Sequence, residues 1–154
     1  MSSLMAAKTR RVFLQSATLG LLAMTQGARS ALSSPADVEA VIKTIAGDRK
    51  PKEGRIKLDL PSIAENGLAV PLNFEVESPM TESDYVKSFH IYAEGNPGVH
   101  VADYTFTPLF PKAAVQIRIR LAQTQNVTAV AVMSNGDVYM AKKEVKVTIG
   151  GCGG

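Results

Sequence analysis

From residue 56 onward, hydrophobic and polar positions alternate along several short stretches of the chain. The clearest stretch has apolar residues on one side and polar residues on the other: Val115, Ile117, Ile119 and Leu121 against Gln116, Arg118 and Arg120. Such alternation is typical of a β-strand with one buried face, because successive side chains point to opposite faces of a sheet. The pattern therefore predicts a chain built mainly of strands.

Seven strands are predicted in this way, over residues 56–60, 68–76, 89–93, 101–107, 115–121, 127–133 and 138–149. Turn signals separate them, at Glu65–Gly67, at Glu94–Gly98 and at the Asn-Gly pair 135–136. Pro71 predicts an edge or a bulge in the second strand, because proline has no amide hydrogen to donate. The seven strands and the turns between them predict an all-β fold, an immunoglobulin-like β-sandwich of about seven antiparallel strands.

One earlier stretch has a helical period instead. Its apolar residues recur at intervals of three and four: Val38, Val41, Ile42 and Ile45. This spacing predicts a short amphipathic helix over residues 37–46, with Ser34-Pro35 at its entry and Gly47 as its stop.

The first thirty residues have the layout of an export signal. Arg10 and Arg11 are followed by Phe13 and Leu14, a mildly apolar run, and small residues at 28–31. The arginine pair resembles the twin-arginine (Tat) signal, which predicts export to the bacterial periplasm. The apolar run is too short to remain as a membrane anchor. We therefore assign residues 1–30 to a Tat-type signal peptide, 36–149 to the sandwich domain and 150–154 to a C-terminal arm.

The net charge of +3 comes from the signal segment. That segment has no acidic residue and four basic ones: Lys8, Arg10, Arg11 and Arg29. The remaining 13 basic residues face 14 acidic ones. The sequence therefore gives no electrostatic reason to expect nucleic-acid binding. A local basic cluster over residues 43–57 is interpreted as a solvated face.

Motifs for resident metals, haem or nucleotides are absent from the sequence. His90 and His100 lie on different predicted segments and, with a single cysteine, do not have the spacing of a zinc site. We interpret them as ordinary strand or turn residues and predict no metal and no cofactor. Arg118 and Arg120 share the outer face of one strand, where they are solvated or dock an anion or a partner.

The only cysteine, Cys152, lies between two glycine pairs, Gly150-Gly151 and Gly153-Gly154. Glycines give the backbone no preferred conformation, so five such residues span roughly 12 Å. The nearest basic residue along the chain is Lys146, so nothing in the tail itself would activate the thiol. The tail is suited to carry a covalently attached group into the active sites of other proteins.

Three stretches resemble one protein family. The terminal VTIGGCGG, the segment RIRLAQTQ at 118–125 and the Asn96-Pro97 turn are similar to SoxY, the sulfur-carrier subunit of the periplasmic thiosulfate-oxidising (Sox) system. The resemblance implies that Cys152 holds thiosulfonate and sulfane intermediates and that the surrounding glycines form a mobile arm. It also implies a carrier that is not itself an enzyme.

The same resemblance implies partners. A SoxZ-like β-sandwich subunit would form a heterodimer with this chain. A SoxAX-type cytochrome, a SoxB-type hydrolase and, where present, a sulfane dehydrogenase would bind transiently to the loaded arm.

Two other interpretations remain open. The terminal Gly153-Gly154 resembles ubiquitin-like carriers that use their C-terminal carboxylate, although that activation needs ATP and the strand content is high for such a fold. Alternatively, Cys152 forms an intermolecular disulfide and the chain is a structural subunit.

Overall fold

A computed structural model describes residues 32–150 of the chain. They form one helix, α1 (Pro35–Ala46), and eight strands: β1 (Ile56–Asp59), β2 (Ile63–Asn66), β3 (Val70–Val76), β4 (Val86–Ala93), β5 (His100–Thr105), β6 (Ala113–Ile119), β7 (Gln125–Met133) and β8 (Val138–Ile149). No helix within residues 32–150 has the length and apolar character needed to cross a bilayer.

The strands form two sheets that pack face to face. One has the order β1-β3-β6 and the other the order β2-β8-β7-β4-β5. Phe74 of the first sheet stacks on Phe89 of the second, with ring centroids 3.6 Å apart and planes 13° apart. Leu72 and Ile91 are fully buried in the same core. The predicted β-sandwich is therefore confirmed.

The structure contains one strand more than the sequence pattern predicts. Strand β2 pairs in parallel with the end of β8, while every other strand pair in residues 32–150 is antiparallel. Only Ala64 of β2 is buried, and Ile63 is 61% exposed, so the stretch has no apolar alternation to reveal it. The predicted turn begins one residue later, where the Asn66 side chain accepts a hydrogen bond from the Leu68 amide.

Two local predictions on strands and turns hold. Strand β1 ends at Asp59, opposite Asn73, so Pro71 pairs only with Arg118 of β6 and lies on a local edge. At the hairpin between β7 and β8, the Gly136 amide donates to the Met133 carbonyl. Gly136 has φ of 83°, a left-handed conformation that favours glycine.

The predicted helix is confirmed and begins at Pro35. Ser34 caps it, since its hydroxyl accepts from the Asp37 amide while the Asp37 carboxylate accepts from the Ser34 amide. Val38 and other apolar residues of α1 pack on the outer face of the five-stranded sheet, beside Tyr92. Burial there, with a smaller effect from Asp103, raises the pKa of Tyr92 to about 12.

Three of the six basic residues in the cluster over residues 43–57 form ion pairs at the surface. The pairs are Lys52–Asp137 at 2.9 Å, Arg55–Asp84 at 3.1 Å and Lys57–Glu77 at 2.9 Å. All six side chains of these pairs are about a third or more exposed, which agrees with the interpretation as a solvated face.

Candidate functional site

The last strand, β8, extends beyond its pairing with β7. Its pairing with β7 ends at Val145, opposite Gln125, and its final residues pair with β2 instead. The Ile149 carbonyl accepts from the Gly67 amide at 2.7 Å, and the Thr148 hydroxyl donates to the Glu65 carbonyl at 2.8 Å. The chain is thus held by hydrogen bonds up to residue 149.

Gly150 follows directly and is exposed. A β-carbon at this position would overlap the carbonyl oxygen of Ala122, so glycine is the residue that fits. The other predicted site residues, Cys152 with Gly151, Gly153 and Gly154, and Arg10 with Arg11 of the signal, lie outside the described residues. Their assigned roles therefore stay predictions.

Two buried amide side chains support the loop that contacts Gly150. Asn96 donates through Nδ2 to the Arg120 carbonyl and accepts through Oδ1 from the Ala122 amide, both at 2.9 Å. Gln125 donates to the same Oδ1 at 2.9 Å and accepts from the Gly95 amide at 2.7 Å. Asn96 is 9% exposed and Gln125 is 6% exposed. We call the Asn96 and Gln125 side chains, with the loop 120–124 that they hold, the amide clamp.

The amide clamp contains residues from two of the sequence stretches that carry the family resemblance. Asn96 belongs to the Asn-Pro turn, and Gln125 ends the segment 118–125. The carbonyl of Asn96 also accepts from the amide and the hydroxyl of Ser33, at 2.7 and 2.9 Å. The Asn96 turn therefore binds Ser33, two residues before α1, and also supports the loop against which Gly150 lies.

A cleft of about 360 Å³ lies between the open edges of the two sheets. Its walls come from β5, from residues 117–120 and from Asn96. Arg118 and Arg120 line it together with His100, and none of its lining residues is acidic. Within residues 32–150, neither arginine has an ion-pair partner. We call it the arginine cleft.

A second polar cluster brings together His90 and His100, which lie on different strands, through Asp103. His90 Nδ1 lies 2.6 Å from one carboxylate oxygen of Asp103, and His100 Nε2 lies 2.9 Å from the other. Partial burial by itself would raise the pKa of Asp103, but hydrogen bonds from both imidazoles outweigh it and hold that pKa below its usual value. Antiparallel pairing of β4 with β5 sets His90 opposite Asp103, a register that the sequence does not display.

The His90 ring also has a hydrogen bond to the Ser88 hydroxyl, at 2.9 Å from Nε2. The order Ser88, His90, Asp103 matches the connectivity of a hydrolase triad. Ser88 lies on an extended strand, however, and lines neither the arginine cleft nor a second cleft of about 380 Å³ over β1, β3 and β6. Among the described residues no set of three His, Cys, Asp or Glu side chains is placed to hold a metal ion.

Comparison with known proteins identifies the family. The model of the family described as sulfur oxidation protein SoxY matches residues 42–152, a range that ends at Cys152. The structure of the sulfur carrier protein SoxY from Chlorobium limicola f thiosulfatophilum is 31% identical, with a TM-score of 0.63, over 75% of this chain and 100% of that one. A search of curated proteins finds no significant match.

A more distant likeness concerns the fold alone. The superoxide reductase (neelaredoxin) from Ignicoccus hospitalis is 16% identical, with a TM-score of 0.51, over 79% of this chain and 99% of that one. The family match and the 31% identical structure, by contrast, confirm the resemblance drawn from the terminal residues, the segment 118–125 and the Asn-Pro turn. The chain belongs to the SoxY family of sulfur oxidation proteins.

Proposed function

We propose that this protein is the covalent sulfur carrier of a periplasmic thiosulfate-oxidising system, with its intermediates bound to the thiol of Cys152. The family match extends to Cys152, and the structure that is 31% identical is that of a sulfur carrier protein. Cys152 is the only cysteine of the chain. A carrier of sulfur by covalent attachment needs a thiol, and no other residue supplies one.

The observation that carries the proposal is how the end of β8 and Gly150 are fixed, two residues before Cys152. Hydrogen bonds to Gly67 and Glu65 hold β8 through Ile149, and Gly150 packs on Ala122. Cys152 follows two residues later, and two extended residues span at most about 7 Å. A short glycine arm on a fixed base would present the sulfur at a defined end of the sandwich, and its narrow cross-section would fit the entrance of an enzyme active site.

The proposed chemistry conserves atoms and charge. Oxidative loading joins the thiol to thiosulfate: Cys–SH and S₂O₃²⁻ give Cys–S–S–SO₃⁻, one proton and two electrons, which a SoxAX-type cytochrome accepts. Hydrolysis by a SoxB-type enzyme then converts Cys–S–S–SO₃⁻ and water into Cys–S–S⁻, sulfate and two protons. A sulfane dehydrogenase, where present, oxidises the remaining outer sulfur before a second hydrolysis. The chain itself carries the intermediates, and its partners catalyse the steps.

The proposal includes a cellular setting. The Tat-type signal over residues 1–30 would export the folded chain to the periplasm, together with a SoxZ-like subunit that has no signal of its own. We propose a heterodimer of the two sandwich subunits, which the enzymes of the system bind in turn.

The test is intact mass spectrometry without reductant on protein from the periplasm of cells growing on thiosulfate. We expect added masses of sulfur or thiosulfonate that map to the C-terminal peptide and disappear on treatment with a thiol reductant. A Cys152→Ser variant, expressed at the same level, should carry none of them and should abolish thiosulfate oxidation. A bare thiol or only a Cys152–Cys152 disulfide in oxidising cells would reject the carrier role and favour a structural link.

A further inference from the structure

We propose that the arginine cleft is a docking site for the oxyanion end of the group carried on Cys152, with Arg118 and Arg120 as the side chains that bind it. The inference rests on the proposed carrier function and adds to it a place where the charged sulfonate of a thiosulfonate adduct binds between visits to the enzymes. It assigns a role to two arginine side chains that have no ion-pair partner within residues 32–150.

The first argument is proximity. The arginine cleft and the base of the tail share one support, because Asn96 lines the cleft and also bonds the Arg120 carbonyl and the Ala122 amide. The carbonyl of Ala122 is the group that Gly150 contacts. Arg120 is two residues before that contact, and Cys152 is two residues after Gly150. Each of these segments spans at most about 7 Å, so an adduct on Cys152 can reach an arginine side chain from the cleft wall.

The second argument is charge. The arginine cleft has two guanidinium groups and no acidic lining residue, in a chain whose basic and acidic residues are nearly balanced outside the signal. Asp103, next to the lining residue Ala102, pairs with His90 and His100 and with neither of the two arginines. An anion in the cleft would therefore meet unpaired positive charge.

The third argument is a contrast with the other arginines of the domain. Arg55 pairs with Asp84 at 3.1 Å, and Arg49 donates to the Asn135 carbonyl. Arg118 and Arg120 have no ion-pair partner within residues 32–150, although they lie in the wall of a cleft.

The geometry of the two side chains suits a sulfonate. Arg118 and Arg120 are two residues apart on one chain, with Arg120 just after the end of β6 at Ile119, so their α-carbons are at most about 7 Å apart. A guanidinium presents paired N–H donors that match two oxygens of an oxyanion, and a sulfonate offers three. Two arginines at this spacing can hold one sulfonate between them.

The experiment loads the tail chemically and observes the arginines directly. The mature protein, in its native assembly, reacts with tetrathionate: Cys–SH and S₄O₆²⁻ give Cys–S–S–SO₃⁻, S₂O₃²⁻ and one proton. Mass spectrometry confirms loading, and NMR follows the Nε–Hε signals of Arg118 and Arg120. We expect both signals to shift with the anionic adduct and to stay in place when iodoacetamide caps Cys152 with a neutral group.

Variants give a second readout, the rate at which a thiol reductant removes the adduct. An Arg118→Gln/Arg120→Gln double variant should release it about threefold faster, since an exposed charge pair contributes only modest protection. Lys112→Gln removes one positive charge from the other cleft and should leave the rate unchanged.

The outcomes separate the two proposals. Loading is chemical and verified by mass, so unshifted arginine signals would overturn the docking site without touching the carrier role. Signals that shift only when free thiosulfate is added to the iodoacetamide-capped protein would also overturn it, since the site would then bind a free oxyanion and not the carried group. Absence of adducts in cells would instead reject the carrier function.

Discussion

Gly150 lies against the carbonyl oxygen of Ala122 so closely that position 150 has no room for a β-carbon. The preceding residue, Ile149, is bonded through its carbonyl to the Gly67 amide at 2.7 Å. The same Gly67 accepts from the Leu121 amide at 2.8 Å. The start of the tail is therefore held between the turn at Gly67 and the loop at Ala122. Packing against the Ala122 carbonyl requires glycine at position 150.

A Gly150→Ala substitution should displace the end of β8. The new methyl group would overlap backbone, which moves less readily than the tip of a side chain, so we expect a loss of about 1–2 kcal/mol in the free energy of unfolding. The Gly67 amide should exchange its hydrogen faster, because its acceptor at Ile149 moves. Hydrogen exchange by NMR and denaturant titration measure the two effects.

Gly98→Ala is the matched control for that change. No atom lies within 4 Å of the position that its β-carbon would take, and its φ is outside the left-handed region. It should change the free energy of unfolding by no more than about 0.5 kcal/mol and leave Gly67 exchange as it was. Equal behaviour of the two alanine variants would contradict the packing role of Gly150.

Removal of the Asn96 amide should weaken the amide clamp. Asn96→Ala leaves the Arg120 carbonyl, the Ala122 amide and one Gln125 amide proton without their partner. Because Asn96 is buried, we expect a loss of about 2–3 kcal/mol in the free energy of unfolding, measured by urea titration.

The control for Asn96 is an asparagine with a similar bond at the surface. Asn73 donates to Asp59 at 3.2 Å in an exposed position, where water can replace the lost partner. Asn73→Ala should therefore lower stability by less than about 1 kcal/mol. If both asparagine variants lose the same amount, the amide clamp has no special role.

The helix cap gives a third prediction. Ser34→Ala removes the hydroxyl that accepts from the Asp37 amide and should destabilise the protein by about 1 kcal/mol in thermal or urea unfolding. Thr44→Ala offers a comparison within α1, since its hydroxyl bonds only the Ala40 carbonyl of the same helix. Alanine has the higher helix propensity, so this variant should be neutral or slightly more stable. A Thr44→Ala loss as large as that of Ser34→Ala would refute the cap assignment.

Local patterns in the sequence were sufficient for most of the fold. A period of two marks strands such as β6, and a period near 3.6 marks α1, because each element buries one face. Strand β2 has no such pattern, since only Ala64 is buried and its pairing depends on β8, about eighty residues later. Parallel pairing between distant segments leaves no local signal.

The sequence likewise predicts one part of the candidate site and not the rest. The glycine-flanked cysteine is visible as a motif, and its role stays a prediction because Cys152 lies outside the described residues. The amide clamp and the arginine cleft depend on contacts between β5, β6 and the Asn96 turn, which only the folded chain brings together. Asn96 belongs to the Asn-Pro turn that carries part of the family resemblance, and its hydrogen bonds to the Arg120 carbonyl and the Ala122 amide show what its side chain does in the fold.

The bridge from Asp103 to His90 and His100 predicts how stability depends on pH. The two imidazoles hold the pKa of Asp103 below its ordinary 3.8, in spite of the opposing effect of partial burial. The folded state therefore favours the carboxylate. Its contribution is present above pH 3.8 and is lost as the pH falls through the lower folded-state pKa.

We expect wild type to be more stable than Asp103→Asn at about pH 6, and the difference to be smaller at about pH 3, below the ordinary pKa of 3.8. Asp103 is 51% exposed, so the difference at the higher pH should not exceed about 1 kcal/mol. Other carboxylates with lowered pKa values, such as Asp137 beside Lys52, are present in both proteins and cancel in the comparison. Urea titrations at the two pH values measure the difference in the free energy of unfolding between the two proteins. A difference that grows on acidification would show that the histidine bridge does not stabilise the charged carboxylate.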